Sequence, residues 1–406
     1  MDSVLTRLGP GLLFAGAAIG TSHFVQSTRA GALYGLGFVG VIIFANLIKY
    51  PAFRFGPYYA ATAGETLIAG YARLGRGVVP LVALSLVFVH AIIMAATAIT
   101  TAGILLAITG WPIDARWMAV GLIFLAGGML FLGGYRILDG VVKWFILILA
   151  VTTILATLGA LPNVRWEFTI EPFHSMDVAI FVFAVAVMGF MPSGVDLSIM
   201  HSLWGVEKSK INSLSLADSL FDFNVGYVGS AVLALCFLVM GAGVMFSAGE
   251  TPVNAPAAFA GQVINLYTAS LGSWAGSVVG IAALAVMFST LLAVMDGMPR
   301  MQSACLEQVL PDLISKAVWT GSLVVMSLMA IVVLLFLMSS FTAFIDFVTI
   351  TSFIVGPFIA VLNHLVILRS PVADTHLPST MLRVWSILGI VMMAGVCLGY
   401  GYIRLV

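Results

Sequence analysis

Few side chains in this sequence are equipped for chemistry, and nearly all of those interrupt long apolar stretches. Residues 9–32 begin as an apolar segment rich in small residues, GPGLLFAGAAIG, which stops at Thr21, Ser22 and His23 before FVQSTRAGA resumes. A second stretch, FVFAVAVMGF, stops at Met191, Pro192, Ser193 and Gly194 and is resumed by VDLSIMHSLW. Proline removes a backbone donor and clashes with the preceding turn, while glycine tolerates the conformations a break requires. Such interruptions cannot face lipid, where each unpaired backbone group costs several kcal/mol, so both must line a protein cavity. A half-helix that restarts there presents amide donors and about half a positive charge. The hydroxyls of Thr21, Ser22 and Ser193 add further donors. Together with Gly20, His23, Met188, Met191 and Gly194 they form the expected binding site, whose chemistry suits a small planar oxyanion, bicarbonate first among them.

Asp196, His90, Thr97, His201 and Thr349 are the candidates for holding a coupling proton or Na⁺, or for gating. Each has a plainer reading. Ser193 and Asp196 have the spacing of a capping box, a lone intramembrane His commonly packs as a hydrogen-bonded residue, and hydroxyls such as that of Thr349 often bond their own helix. Lys49 and Arg54 read as snorkelling residues or, more sharply, as contacts to a permeating ion or a gate. Asp218, Asp222 and Asn224 read as capping and pairing groups, with an exit vestibule as the alternative, and Asp296 is expected to pair with Arg300 one turn on.

The elements that hold these residues follow from composition. The chain is 61% hydrophobic and 8% charged, far below the roughly 25% charged residues of a soluble domain. An all-α polytopic membrane protein is expected. Spans of roughly 20 residues are placed at about 9–33, 36–60, 78–108, 116–134, 137–160, 177–204, 214–246, 269–296, 318–339, 342–367 and 382–403, about eleven in all. Breaks in spans 1 and 6, five apart, point to an inverted repeat with its site near the bilayer midplane. Repeat one is placed at about 8–160, repeat two at about 175–368 and an extra helix at about 382–403.

Lysine and arginine set the orientation. With the N-terminus in the cytoplasm, Arg7, Arg73, Arg76, Arg136, Lys143, Lys208, Lys210, Arg300, Lys316, Arg369 and Arg383 fall inside, against Arg116, Arg165 and Arg404 outside. That is a positive-inside pattern with an external C-terminus in the cell membrane. The start, MDSVLTRLG, lacks a basic region and cleavage site, so the first span is expected to be retained. Formal net charge is zero, which gives no reason to expect nucleic acid as a partner. Cys236, Cys305 and Cys397 are scattered and read as small buried hydrophobes. The expected partners are a small inorganic ion, a coupling cation and the bilayer; no cofactor is expected, and the protein is expected to be a monomer.

The residues also support a resemblance. GPGLLF in span 1, Ala30, Gly31 and Ala32 closing it, the Met-Pro of span 6, FSTLLAVMDG in span 8 and the LEQVL segment after it are similar to the Nramp family of proton-coupled divalent metal transporters. The resemblance implies a LeuT-like fold of two inverted five-helix repeats, and it marks this chain as a divergent branch. The family's Asp-Pro-Gly-Asn break corresponds to Gly20, Thr21, Ser22 and His23, and its Met-Pro-His to Met191, Pro192 and Ser193. Its span 3 acids fall at Met94 and Thr97, so every transferable acid is missing.

A divalent ion stripped of water at mid-membrane needs compensating negative charge, normally from carboxylates. The expected function is therefore secondary-active transport of a small oxyanion coupled to H⁺ or Na⁺. The alternative is a proton-coupled carrier of Mn²⁺, Fe²⁺ or Mg²⁺, with Met191, His23 and Asp196 as a softer ligand set. An intramembrane serine protease is disfavoured because Met-Pro-Ser-Gly is not a nucleophile motif and no partner His is placed by spacing, so no enzyme is expected. A channel is disfavoured because paired broken helices suit alternating access.

Overall fold

A segment that is apolar on every face has no polar partner outside itself, so its amides and carbonyls pair internally and it becomes a helix. The computed structural model describes residues 10–18, 20–133, 135–166, 177–210, 215–310, 315–369 and 376–405, and its regular elements are helices. Eight of the described helices are long and apolar enough to cross a membrane. They are span 2 (Val39–Ala63), span 3 (Val78–Thr109), span 5 (Tyr135–Ala160), span 7 (Leu216–Met240, continued by a wide π turn at Gly241–Phe246), span 8 (Trp274–Val309), span 9 (Ser315–Val332, with a π turn to Leu337), span 10 (Phe341–Leu368) and span 11 (Thr380–Leu405). Span 4 is the shorter Ala115–Phe131. Span 1 is split into Pro10–Ala18 and Thr28–Tyr34, and span 6 into Val178–Gly189 and Leu197–Ser209. Arg7 and residues 167–176 and 211–214 of the expected loops lie outside the described residues.

Two boundaries differ from the sequence reading. A helix at Pro256–Leu271, which the hydropathy pattern did not separate, starts with proline at its first position and ends at Gly272 with φ 96°. Span 8 therefore begins later than expected, and it runs on through the LEQVL segment to Val309. The amphipathic connection after span 2 is the short helix Leu67–Leu74, capped by the Thr66 hydroxyl, which accepts from the Ala69 amide at 3.3 Å.

Prolines inside helices free a carbonyl one turn earlier, and here neighbours supply the donor. Pro51 releases the Leu47 carbonyl, which accepts from the Trp385 indole at 2.9 Å, and Pro357 releases the Phe353 carbonyl, which faces the Cys397 thiol at 3.9 Å. Span 11 buries Leu382, Ser386, Gly389 and Met393, a single helical stripe, and is peripheral.

Span 1 lies directly on span 7. A Cβ at Gly11 would sit 2.0 Å from the Asp222 carbonyl oxygen, and one at Gly31 would sit 1.9 Å from that of Leu238, so only glycine permits the approach at either end. The Asp222 carboxylate accepts from the Gly11 amide at 2.8 Å and caps the start of span 1. Tyr50 donates to Asn224 at 2.7 Å, and the Arg300 guanidinium meets Asp296 at 2.8 Å, as the spacing predicts.

Candidate functional site

The break in span 1 is not a free loop. Gly20 bends the chain, donating to the Ala18 carbonyl at 2.9 Å, and residues Ser22–Ser27 continue as a π turn before the α-helix resumes. A π turn carries an extra residue per turn and so rotates the side chains that follow. The outcome is that His23 faces span 7 and is fully buried. Its Nε2 lies 2.7 Å from the Ser230 carbonyl, so this nitrogen carries a proton and donates, leaving Nδ1, 2.6 Å from Ser22 Oγ, to accept when the ring is neutral. Ser22 Oγ is also 2.5 Å from the Ala18 carbonyl. One hydroxyl proton serves one of these acceptors at a time. The Thr290 hydroxyl of span 8 lies 3.0 Å from the Gly16 carbonyl, another oxygen released by the break, and 2.9 Å from the Val286 carbonyl of its own helix, so its one proton is shared between them.

Span 6 is unwound through residues 190–196, with a cis peptide at Met191–Pro192. Three carbonyls on the two sides of this break converge on a residue from span 2, the Met188 oxygen also accepting from the Met191 amide at 3.3 Å. Lys49 is fully buried, and its Nζ donates to Met188 O at 2.5 Å, Gly189 O at 2.8 Å and Ser193 O at 3.0 Å, while the Phe353 ring lies 5.5 Å away. Burying an ammonium costs several kcal/mol even after relaxation, so a lysine here is tolerated only because all three protons are bonded. Lys49 does not snorkel to an interface.

The capping-box reading of Ser193 and Asp196 needs correction. Asp196 makes no cap bond; the first amides of the second half-helix, from Leu197 to Ile199, are instead bonded to the carbonyls of Gly194, Val195 and Asp196 in tight turns. This frees the Asp196 carboxylate to turn toward span 3, where its Oδ2 lies 3.2 Å from His90 Nε2 in a pair that is buried on both sides. His90 Nδ1 and the Ser352 hydroxyl have no partner among the described residues. Nor is an acceptor found among those residues for the amides of Gly194, Val195 and Asp196.

Between the two breaks lies a chamber of about 40 Å³ walled by Gly20, Thr21, Ser22, Thr97, Ser193, Gly194 and Asp196, with Ile93, Phe190, Met200 and Thr290 among its other neighbours. A water needs about 10–15 Å³ on this measure, so the space suits a solute of a few heavy atoms. Beyond Met200 opens a vestibule of about 1030 Å³ edged by Glu207, Lys210, Asp296, Arg300, Glu307 and Lys316. Toward the other end of span 1 the structure is closed. Arg29 grips Asp346 of span 10 with both nitrogens, at 2.7 and 3.0 Å, and Gln26 bridges Arg29, Asp346 and Thr349. Gln26, Ser27 and Thr28 are wholly buried there.

The expected site residues are therefore only partly gathered. Gly20, Thr21, Ser22, Thr97, Ser193, Gly194 and Asp196 share the chamber wall, and His90 stands behind Asp196. His23 stands behind Ser22 and faces away from the chamber. Met188 contributes a carbonyl to Lys49, and the Met191 sulfur faces Ser27 Oγ at 3.8 Å. Thr349 belongs to the Arg29 closure, and His201 packs against Phe14 and Phe223 at 5.7 and 5.8 Å between ring centroids. An acid-free wall was expected, yet Asp196 supplies a carboxylate to it. The sequence reading passed over Gln26, Arg29, Thr290 and Asp346 as site residues; a charged or amide residue in the apolar stretches of spans 1 and 10 was the available signal. Among the described residues, no three His, Cys, Asp or Glu side chains converge as a metal site.

No family model matches the chain. Over 372 residues it is 34% identical to the uncharacterized protein PM0681 of Pasteurella multocida (strain Pm70), covering 90% of this chain and 86% of that protein. The chain belongs to the family of that protein. Among solved structures it is similar to the Eremococcus coleocola manganese transporter, with a TM-score of 0.73 at 14% identity, over 98% of this chain and 86% of that one. It is also similar to MhsT in complex with L-phenylalanine, with a TM-score of 0.61 at 16% identity, over 96% of this chain and 98% of the other. The fold is thus the LeuT-like arrangement, with interrupted spans 1 and 6 at its centre.

Proposed function

We propose that this protein is a secondary-active transporter of a small oxyanion, bicarbonate being the first choice, that works by alternating access. The fold it shares with two transporters supports the transport class. The observation that carries the cargo reading is the chamber wall: the Ser193 hydroxyl and the amides of Gly194 and Asp196, for which no acceptor is found among the described residues, beside Thr21 and Ser22. Successive amides at a turn and a half-helix start make an anion-binding concavity. The chamber's size is in keeping with an ion of few atoms and too small for an amino acid.

The buried His90–Asp196 pair is the coupling element in this reading. It holds a proton while the anion occupies the chamber, and by linkage each favours the other's binding to the same extent. Electroneutral uptake follows. The repeat division at about 160–175 belongs to the same proposal, as does the orientation, in which the vestibule with Lys210, Arg300 and Lys316 opens to the cytoplasm and the Arg29–Asp346 closure faces outward. In this reading the branch has exchanged the metal-binding carboxylate of span 1 for donors.

A divalent metal is the second reading, favoured by the likeness to a manganese transporter and by the Asp196 carboxylate on the chamber wall. Flux into proteoliposomes separates the two: bicarbonate uptake driven by an inward proton gradient with Mn²⁺ at background is the expected result. Robust Mn²⁺ uptake with bicarbonate at background overturns the oxyanion reading.

A further inference from the structure

Helix carbonyls released at an unwound segment, at the negative end of a half-helix, are the groups with which transporters of this architecture hold free cations. In this chain that set is complete and occupied. Met188 and Gly189 present the last carbonyls of the first half of span 6, Ser193 adds the carbonyl from across the break, and Lys49 Nζ sits 2.5, 2.8 and 3.0 Å from the three oxygens. The open face of the ammonium is covered by the Phe353 ring at 5.5 Å, a further cation-binding surface. Among the described residues no carboxylate lies within 4.0 Å of Lys49, so backbone dipoles and a ring are its direct partners, as they would be for an alkali ion. The stem arrives from the middle of span 2, 139 to 144 residues away in sequence, so the contact is no by-product of local helix geometry.

We infer that the span 6 break contains a monovalent-cation site filled by the chain's own Lys49 ammonium, so that no free Na⁺ or K⁺ takes part there. The site assignment stands on the geometry alone. Its consequence, that the proton is the coupling ion, rests on the transport reading above.

The test compares the full-length wild-type protein with Lys49→Ala, which vacates the site, and Lys49→Met, which fills it without charge. Thermal unfolding of the purified protein is followed in choline, Na⁺, K⁺ and methylammonium chloride at equal ionic strength. The wild-type midpoint is expected to be the same in all four salts. Lys49→Ala is expected to melt lower in choline and to recover by about 3–6 °C in methylammonium, K⁺ or Na⁺, saturably, as a protein does that binds a ligand only when folded. Lys49→Met is expected to stay low in every salt. Should Lys49→Ala fold only when purified in one of the small cations, that rescue supports the assignment; failure in all four salts overturns it, as does a Lys49→Ala midpoint insensitive to cations or a wild-type midpoint raised by Na⁺ or K⁺ alone. Melting involves no cargo, so its outcome is separate from that of the anion assignment, which the flux panel tests. In flux, wild-type uptake is expected to persist when choline replaces Na⁺ and K⁺, and loss of uptake in choline overturns the coupling consequence.

Discussion

The two interrupted spans solve the same problem by opposite means. Span 1 keeps most of its helical bonding by widening into a π turn, and neutral side chains, Ser22 and Thr290, attend to the carbonyls near its bend. Span 6 gives up its bonding over residues 190–196 and needs a full positive charge from span 2 to satisfy the oxygens. In both, the acceptors are met by the protein itself, while at span 6 the Ser193 hydroxyl and the Gly194 and Asp196 amides have no partner among the described residues and lie at the chamber. The comparison teaches that a break is defined by what fills its acceptors: a site whose carbonyls are already bonded has donors left to offer.

Changes at span 6 are therefore expected to weigh more than changes at span 1. The largest effect is expected from Asp196→Asn, which removes the carboxylate proposed to hold the coupling proton: proton-driven bicarbonate uptake should fall by about a hundredfold, the scale of losing a positioned acid–base group, while counterflow without a proton gradient persists. Equal loss of both modes would remove the coupling role. Gly194→Ala comes next. Its Cβ would lie 2.3 Å from Asp196 Oδ1 and 2.4 Å from Ser352 Oγ, and overpacking of this kind costs about 1–3 kcal/mol, which should appear as a lowered unfolding midpoint and weakened uptake; wild-type behaviour would show that the break is more pliable than its contacts imply.

At span 1, His23→Ala removes the second donor to the Ser230 carbonyl, which keeps the bond of its own helix, and commits the Ser22 hydroxyl to the Ala18 carbonyl. A cost of about 0.5–1.5 kcal/mol for the lost hydrogen bond and a roughly tenfold rise in the half-saturating anion concentration are expected, and a change in maximal rate alone would contradict a positioning role. Thr290→Val, which removes the one hydroxyl shared between Gly16 O and Val286 O, should cost about 1 kcal/mol or less in thermal unfolding. The smallest effect belongs outside the membrane. The Arg73 guanidinium bonded to Glu65 holds that carboxyl below its usual range. A carboxyl lowered on folding contributes stability above its unfolded pKa and loses it as pH falls through the folded value. At this exposed pair Glu65→Gln should cost less than about 1 kcal/mol near neutral pH, and nothing in acid.

Much of this was legible in the chain. Gly20 through His23 and Met191 through Gly194 mark the breaks because hydroxyls, glycine and proline are foreign to a lipid-facing helix, and the Asp296–Arg300 pair follows from helical spacing. What was not legible is which distant side chain completes each break. Lys49 lies 139 residues from Met188, and Arg29 lies 317 from Asp346; periodicity carries no information about such pairings. An ordinary unwound segment would put His23 in the chamber, whereas the π turn rotates the ring toward span 7. The spacing of Asp196 permits a cap, but tight turns satisfy those amides and release the carboxylate.

The seating of span 1 on span 7 constrains how the molecule moves. The first half is fastened at Gly11, the π turn through His23 to Ser230, and the second half at Gly31, all to one partner helix. Neither half is able to swing by itself without prising apart main chains that touch with no side chain between them. The bend at Gly20 is thus a shape frozen into a two-helix lever, and in the proposed transport cycle opening on either side of the bilayer has to come from tilting that lever whole against its surroundings.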